Sequence, residues 1–326
     1  MKRILTGLKP TGELTLGNYI GAIMPFAKMQ GEYDSYLFIA DLHALTVAQD
    51  PDELRRRIKE FLALYVACGI DPNKNVIYLQ SENEYIPCIS WLLECSTYYG
   101  EATRMIQFKE KSKENSNFTV GLLTYPILMA SDILYCDADL VPVGIDQKQH
   151  VEIARDIAIR FNNKYGEVFK IPEPLIREGA TKIKDLKDPT KKMSKSSDSP
   201  KGVITLLDTD DEIRKKIMSA TTDSEMLIKY DPINKPGISN LMDICTSLSG
   251  ETNKSLEEKF ADKNYGEFKA FVAELVVNHL SVIRNKYFEL IDSDYLNEIL
   301  DEGIRKSREL AKEKYEIMRE KMGIVR

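Results

Sequence analysis

Short apolar runs alternate with longer amphipathic stretches through the first half of the chain. The runs "RILTGL", "SYLFIADLHAL" and "NVIYLQ" have the composition of buried strands, and residues 52–69 between the last two show helical spacing of apolar positions. Strands that are apolar on both faces and separated by helices form a parallel sheet covered by helices on each side. The first half is therefore predicted to be an α/β domain with a doubly wound, Rossmann-like parallel sheet.

The pattern becomes helical after about residue 180. One predicted helix face carries apolar residues and a histidine at spacings of three and four: Phe268, Phe271, Val272, Leu275, His279, Val282 and Ile283. A further charged helical segment runs from Tyr295 to Met322. We predict a catalytic domain over residues 1–190 and a helical domain over residues 191–326, whose terminal helix could pack back on the first domain.

Charge and cysteine usage limit the partners and the compartment. The formal net charge is −6, so any nucleic-acid site must be a local basic patch. The chain starts with an apolar run too short for a secretory signal, and no stretch approaches the roughly 20 apolar residues of a membrane span. The cysteines form no CxxC pair and are predicted to be buried thiols in a reducing cytoplasm: Cys68, Cys88, Cys95, Cys136 and Cys245.

A lysine- and serine-rich stretch, "KKMSKSS", occupies residues 191–197. Its composition is typical of a solvated linker. The alternative is an anion clamp, in which lysine ammonium groups and serine hydroxyls surround phosphate oxygens. Composition alone leaves both interpretations open, and a second phosphate-binding feature elsewhere in the chain would favour the clamp.

The N-terminal stretch "TGLKPTGELTLGNYIGAI" supplies such a feature. A glycine-bearing turn follows the first predicted strand, and a helix begins near Gly17. The N–H groups of a helix start suit phosphate, and Thr15 and Asn18 can donate hydrogen bonds toward the same place. Taken alone, such a segment is more often only a turn.

Together the two segments resemble the signatures of class I aminoacyl-tRNA synthetases, with "TLGN" in the first and "KMSKS" intact in the second. The segments "FKEKS", "LLTYPILMASDILY", "VPVGIDQKQH" and "KPGISNL" are similar to those of bacterial tryptophanyl-tRNA synthetases, from residue 1 to about residue 250. The related tyrosyl enzymes usually carry glutamine and tyrosine in the segment that here contains Met129 and Ala130.

The resemblance implies a tryptophan pocket with one acceptor for the indole N–H. An indole needs apolar walls and a single acceptor, and Asp132 matches the family's carboxylate in a helix expected to begin near Tyr125 or Pro126. The alternative for Asp132 is an exposed carboxylate on a helix surface. The full set of implied tryptophan contacts is Leu5, Gly7, His43, Tyr125, Met129, Asp132, Val141, Val143 and Gln147.

The resemblance also implies an ATP site, with Mg²⁺ bound together with ATP and no protein metal site. The implied contacts are Lys9, Pro10, Thr11, Gly17, Asn18, Gly144, Ile145, Asp146, Ile183, Lys192, Met193, Ser194, Lys195 and Ser196. The residues expected to act in catalysis are Thr15, Asn18, Lys111, Lys192 and Lys195. Lys111 could equally lie on a solvated face, and a structural role is the stronger alternative for His43 and His150.

Three positions depart from the family pattern. Lys9 replaces the usual glutamine, Leu5 a frequent phenylalanine, and Ile145 the glutamate of "GEDQ". Lys9 leaves open how the polar end of the amino acid is held. No iron–sulfur cluster is predicted, because Cys88 and Cys95 lack the following CxxC pair found in cluster-bearing relatives.

The implied reaction is ATP-dependent activation of L-tryptophan, followed by transfer to tRNA(Trp), in a cytoplasmic homodimer without membrane contact. Arg305, Lys306 and Arg308 could contact the anticodon or form a solvated helix face. The alternatives are tyrosyl specificity, a nucleotidyltransferase of the same fold that does not use tRNA, and a catalytically silent RNA-binding paralogue.

Overall fold

The structure is a computed structural model that describes residues 1–114, 118–176, 182–194 and 200–326. Within these ranges it describes every side chain except those of Lys111, Lys113, Glu114 and Asp146. The predicted contacts Lys195 and Ser196 lie outside the described residues, as do the side chains of Lys111 and Asp146.

A five-stranded parallel sheet forms the centre of the first half. Its strands are β1 (Arg3–Leu8), β2 (Asp34–Ile39), β3 (Asn75–Leu79), β4 (Leu140–Pro142) and β5 (Glu173–Leu175). The order across the sheet is β3-β2-β1-β4-β5, and all pairs are parallel. The prediction of a doubly wound α/β fold is confirmed. Because the winding reverses at β1, a crevice opens between the carboxyl ends of β1 and β4, the usual ligand position in such sheets.

Helices cover both faces of this sheet and form the C-terminal region. Those before β5 are α1 (Leu16–Asn18), α2 (Met24–Met29), α3 (Asp41–Ala44), α4 (Pro51–Ala67), α5 (Tyr85–Glu94), α6 (Tyr99–Ala102), α7 (Ile106–Glu114), α8 (Val120–Tyr135) and α9 (Lys148–Tyr165). Those after it are α10 (Asp210–Met218), α11 (Pro236–Ser249), α12 (Asn253–Lys259), α13 (Tyr265–Leu290) and α14 (Tyr295–Met322).

Alternate side chains of β1 enter two different apolar clusters. Ile4 packs with α2, α4 and the later helices, whereas Leu5 packs with α5, α8 and α9. This alternation follows from the two-residue period of a strand, and it explains why β1 carries apolar residues on both of its faces. The first cluster runs without interruption from Ile4 to Phe268 in α13, so one core joins the sheet to the C-terminal helices. The domain boundary near residue 190 stays a prediction.

The sequence predicted the face of α13 only in part. Its buried residues include Phe268, Val272, Val276 and Leu280, but Val282 is 68% exposed. Residues four apart advance by slightly more than one helical turn, so the buried stripe winds slowly around the helix. Val282 lies beyond the edge of that stripe, and its prediction as a buried residue is wrong.

Helix α14 returns to the sheet and packs on the edge strand β3. At Gly303 an added Cβ would lie 1.7 Å from the carbonyl oxygen of Ile77, so only glycine permits this approach. Farther along, Lys314 Nζ bonds both carboxylate oxygens of Asp137, at 2.8 and 2.9 Å. The terminal helix thereby shields the backbone of an edge strand that would otherwise be exposed.

Two further predictions need correction. Cys88 and Cys95 are exposed, because they lie on the outer side of α5 and at its end, whereas the other three cysteines are buried. Helix α8 begins at Val120 rather than near Tyr125. Pro126, which is typical of a first helical turn, lies inside this helix.

Candidate active site

Residues that follow four of the strands come together in the crevice at the carboxyl ends of the sheet. Lys9 follows β1, His43 lies in α3 after β2, Gln80 follows β3, and Gly144 follows β4. Asp132 reaches the same region from α8. Because parallel strands end at the same edge, residues distant in sequence converge here.

Thr15 and Asn18 form the start of α1 through a reciprocal pair of hydrogen bonds. The Asn18 N–H donates to Thr15 Oγ1, and the Thr15 N–H donates to Asn18 Oδ1, each at 3.1 Å. The Thr15 hydroxyl also donates to Asn18 Oδ1 at 3.1 Å, and Thr15 is buried. Its only hydroxyl proton is therefore used within the cap, so Thr15 shapes the helix start rather than donating to a ligand.

The two signature segments meet at Gly17. A Cβ placed there would lie 3.4 Å from the Cβ of Met193 and 3.5 Å from its carbonyl oxygen. Met193 is buried, and its N–H donates to the Ile183 carbonyl at 2.9 Å. The sequence predicted both segments as parts of one site, and the structure brings them into contact.

Both described ends of the lysine-serine segment are held by backbone bonds. Before it, Lys184 forms a bridge with Lys192. After it, the Leu16 N–H donates to the Ile204 carbonyl at 2.8 Å, next to a bridge between Thr15 and Thr205. The segment is thus fastened at each end beside the start of α1, and Lys192 is exposed.

Asp132 is a fully buried carboxylate with two donors. Gln80 Nε2 lies 2.8 Å from its Oδ1 and 2.9 Å from its Oδ2, and His43 Nε2 lies 2.8 Å from Oδ2. Burial raises the pKa of the Asp132 carboxyl, and the bonds from His43 and Gln80 oppose this rise. The expectation of a buried acceptor, and not an exposed helix carboxylate, agrees with this geometry.

Tyr125 occupies the space beside this carboxylate cluster. Its hydroxyl bonds Gln107 Oε1 and His150 Nε2, both at 2.9 Å. Its ring meets the His43 ring edge to face, with centroids 6.2 Å apart. Burial raises the pKa of Tyr125 to about 12, so its phenol stays protonated at neutral pH. His150 is therefore a buried partner of Tyr125, which is the structural role that its sequence favoured.

Apolar side chains enclose the same region. Leu5 and Val141 are buried, and Met129 and Val143 pack half-buried against their cluster. A Cβ at Gly7 would lie 2.5 Å from the tip of the Phe38 ring, so this glycine leaves room for the ring to lie across β1. Gln147, in the turn Ile145–Gln147 after β4, is half-buried.

A cavity of about 580 Å³ opens on the other face of β1, beside residues 21–26 and the loop after β4. Gly144 and Ile145, both predicted nucleotide contacts, lie on its wall with Gly21 and Lys182. Lys9 Nζ lies 3.2 Å from Thr46 Oγ1 at the end of β1. Two of the predicted nucleotide contacts thus share this cavity wall with Val143, one of the predicted tryptophan contacts.

Sequence reasoning missed Gln80 and Gln107. The signal for Gln80 was present, because a polar residue directly after a buried strand lies at the ligand edge of a parallel sheet. Gln107 offered no comparable signal: it lies in α7, and its contact with Tyr125 depends on how α7 packs on α8.

Comparison with known proteins places this crevice in a family. A model of the family described as tRNA synthetases class I (W and Y) matches residues 1–281. The chain belongs to this family of class I tRNA synthetases. Among its relatives, the tryptophan–tRNA ligase of Bacillus subtilis is 49% identical over 323 residues, covering 99% of this chain and 98% of the relative. That of Bacillus anthracis is 47% identical over 326 residues, covering 100% and 99%.

Solved structures of such synthetases share the fold over at least 92% of this chain. Tryptophanyl-tRNA synthetase from Mycoplasma pneumoniae has a TM-score of 0.89 at 36% identity, covering 99% of this chain and 98% of that one. The enzyme from Campylobacter jejuni, complexed with ADP and tryptophan, has a TM-score of 0.86 at 37% identity, covering 98% and 99%. A tyrosyl-tRNA synthetase from Aeropyrum pernix, at 20% identity and a TM-score of 0.68, shares the fold alone.

Proposed function

We propose that the chain activates L-tryptophan with ATP to give tryptophanyl-adenylate and then transfers the tryptophanyl group to tRNA(Trp). The observation that carries the proposal is the buried Asp132 carboxylate, held by two donors at the ligand edge of the sheet. An apolar pocket with one such acceptor suits an indole, whose only polar atom is an N–H donor. Relatives that are 47–49% identical over almost the whole chain are tryptophan–tRNA ligases.

The first step needs no protein nucleophile. The carboxylate of tryptophan attacks the α-phosphorus of ATP, a new C–O–P bond forms, and pyrophosphate leaves with the electrons of the broken P–O bond. In the second step a ribose hydroxyl at the end of the tRNA attacks the acyl carbon, and AMP leaves. The protein contributes positioning and charge stabilisation, the two effects that dominate phosphoryl chemistry.

Phosphate binding falls to the two signature segments. Lys192, together with Lys195, carries positive charge to the departing pyrophosphate, and the start of α1 offers N–H groups at Gly17 and Asn18. Mg²⁺ bound with ATP would neutralise phosphate charge, since phosphate oxygens are ligands that it prefers. The lysines and serines of these segments suit phosphate oxygens and offer no carboxylate to the metal, so the Mg²⁺ would be bound by the phosphates of ATP.

The ribose and base of ATP are proposed to bind beside Gly144, Asp146 and Ile183. Gly144 lies on the wall of the cavity next to β1, and Ile183 is buried, with its carbonyl accepting from the Met193 N–H. This arrangement supports ATP as the nucleotide substrate, with its α-phosphate near the switch point where tryptophan would also bind. Lys9 is proposed to face that meeting point and to contact the amino-acid carboxylate or the α-phosphate.

A homodimer is also part of the proposal. Trp91, Tyr98 and Tyr99 are exposed around a groove between α5 and α8, and Tyr99 is 77% exposed. Aromatic residues exposed together are typical of a protein interface. Sedimentation of the purified protein tests whether it is a dimer, and Tyr99→Asp should shift the equilibrium toward the monomer.

The helical C-terminal region is proposed to bind the anticodon, and the reaction places the enzyme with tRNA in the cytoplasm. Arg305, Lys306 and Arg308 on α14 each pair with a neighbouring glutamate, so we do not assign them RNA contacts. In the described parts of the chain, no helix is long and apolar enough to cross a membrane.

The test is aminoacylation with labelled L-tryptophan. We expect acid-precipitable label only when ATP, Mg²⁺ and a tRNA(Trp) transcript are present. The amount of label should fall sharply when the anticodon of the transcript is altered. Adenylate formation without any charging of tRNA would favour a nucleotidyltransferase of this fold. Absence of both activities would favour a silent RNA-binding paralogue.

A further inference from the structure

Gln80 is a buried amide that the mechanism above leaves without a role. It is the first residue after β3 and begins the turn Gln80–Glu82. Its side chain is 0% exposed, and its Nε2 contacts both oxygens of Asp132 at 2.8 and 2.9 Å. It therefore reaches the crevice without lining it and acts on the acceptor predicted to select tryptophan.

The contacts of Asp132 leave one oxygen with spare accepting capacity. Oδ2 accepts from both His43 and Gln80, whereas Oδ1 accepts from Gln80 alone. A carboxylate oxygen accepts about two hydrogen bonds, so Oδ1 can take one further donor. The indole N–H of tryptophan is a donor of the required kind. In this arrangement Gln80 and His43 fix the plane of the carboxylate, and Oδ1 keeps accepting capacity for the indole N–H of the substrate.

The orientation of the Gln80 amide argues for function over packing. An ionised carboxylate only accepts, so the NH₂ end of Gln80 must face Asp132. The opposite atom, Oε1, is buried and has no hydrogen-bond partner within the described part of the chain. A glutamine present only for stability would be expected to satisfy both ends, because a buried unpaired carbonyl is unfavourable.

We propose that Gln80 is a positioning residue for amino-acid selection, which holds the Asp132 carboxylate in place as the acceptor of the indole N–H. This inference rests on the proposed tryptophan specificity. The amide of Gln80 does not titrate, so it holds the acceptor at any pH in the working range.

Several titratable groups surround Asp132 and determine what a pH profile would report. His43 and Asp41 come from α3, Tyr78 from β3, and Tyr135 from α8, with Cys136 directly after α8. Burial raises the pKa of both tyrosines well above the ordinary value, so neither ionises near neutral pH. Loss of the Gln80 donors should raise the pKa of the Asp132 carboxyl, since those bonds favour its charged form.

The test uses two substrates in pyrophosphate exchange: L-tryptophan and benzothienylalanine, in which sulfur replaces the indole N–H. Gln80→Met keeps the length of the side chain and removes the donors. Its kcat/KM for tryptophan should fall about 10- to 100-fold, the usual effect of a lost bond to a charged group. The value for the sulfur analogue should change much less, because no N–H needs an acceptor. The acid limb of the tryptophan profile should also move to higher pH.

Two variants separate positioning from simple stability. Asn83→Leu removes another fully buried amide near the same turn, which bonds Ser307 Oγ at 2.7 Å and makes no bond to Asp132. This control variant should lower kcat/KM for the two substrates by the same factor. Gln80→Glu has the same shape and places a second carboxyl against Asp132, where the pair should share one proton. Its tryptophan activity should be lost as pH rises, while the sulfur analogue is less affected.

The possible failures are distinguishable. Wild-type protein that shows no exchange with tryptophan would overturn the proposed function, and this inference with it. Wild-type exchange with tryptophan, combined with equal losses for both substrates in Gln80→Met and Gln80→Glu, would leave the proposed function intact. That second result would make Gln80 a structural residue and overturn the inference.

Discussion

At the scale of single residues, the site depends on a few polar side chains whose hydrogen bonds are already made. Asp132 is a stronger acceptor when it is charged, and burial alone raises its pKa. The donors His43 and Gln80 offset part of that effect. Thr15 contributes differently from Asp132: its hydroxyl is bonded to Asn18, and it shapes the start of a helix.

Replacing the acceptor itself should remove the preference for tryptophan. Asp132→Asn keeps the size of the side chain and loses the charge. Because Gln80 Nε2 contacts both carboxylate oxygens of Asp132, either orientation of the asparagine amide turns its NH₂ group toward that donor. We expect kcat/KM for tryptophan to fall at least about 100-fold in pyrophosphate exchange. Asp139→Asn is the matched control, since Asp139 accepts from the Arg3 N–H at 2.7 Å at the opposite end of β1. Equal kinetics in the two variants would contradict the assignment of Asp132.

The role of a residue was predictable from sequence where the chemistry of the ligand requires one residue type. The exposure of a residue was not predictable where it depends on helix packing. Asp132 could be chosen from sequence because an indole pocket needs one acceptor. The exposure of Val282 and Cys88 could not, because it depends on how far a helix turns against its neighbours. Gln80 lay within reach of sequence reasoning, yet only the contact with Asp132 distinguishes it from an ordinary residue at the end of a strand.

At the scale of secondary-structure elements, short backbone contacts join segments that are far apart in sequence. The contact between Gly17 and Met193 unites the two signature segments, and the Leu16–Ile204 bond fastens the chain after the lysine-serine segment. The sequence predicted the β1–α1 unit and the loop separately. Their junction depends on β-type pairing between isolated residues, which leaves no periodic signal in a sequence.

The cap of α1 should affect both stability and activity. Thr15→Ala removes the side-chain bonds to Asn18 and should lower the free energy of unfolding by about 1 kcal/mol, measured in urea. It should also reduce exchange activity, because the start of α1 moves. Thr209→Ala removes the equivalent cap of α10, where Thr209 pairs with Glu212, and should lower stability alone. If both variants keep full activity, the start of α1 does not position phosphate.

The packing of α14 on β3 gives a prediction about stability only. Gly303→Ala places a methyl group against the Ile77 carbonyl and should lower the free energy of unfolding by about 1–3 kcal/mol. Gly100→Ala in α6 meets no atom within 4 Å and should be neutral or slightly stabilising. Thermal and urea unfolding of both variants would check this. Unchanged stability for Gly303→Ala would mean that α14 does not pack this closely on β3.

At the scale of the whole molecule, one apolar core links a nucleotide-binding sheet to a helical C-terminal region. The fold class followed from the alternation of apolar runs and helices, since that pattern permits few other topologies. The return of α14 to the sheet did not follow from the sequence, because a charged amphipathic helix can cover any apolar surface of matching shape. With a net charge of −6, tRNA must be bound through local basic surfaces.

The most direct test of the central claim is pyrophosphate exchange into ATP, with purified protein, Mg²⁺ and each of the twenty amino acids in turn. We predict exchange with tryptophan alone, since Asp132 supplies an acceptor for the indole N–H within apolar walls. Asp132→Asn, measured beside the wild type, should lose that exchange selectively. Exchange supported by tyrosine, or by none of the amino acids, would contradict tryptophan activation by this chain.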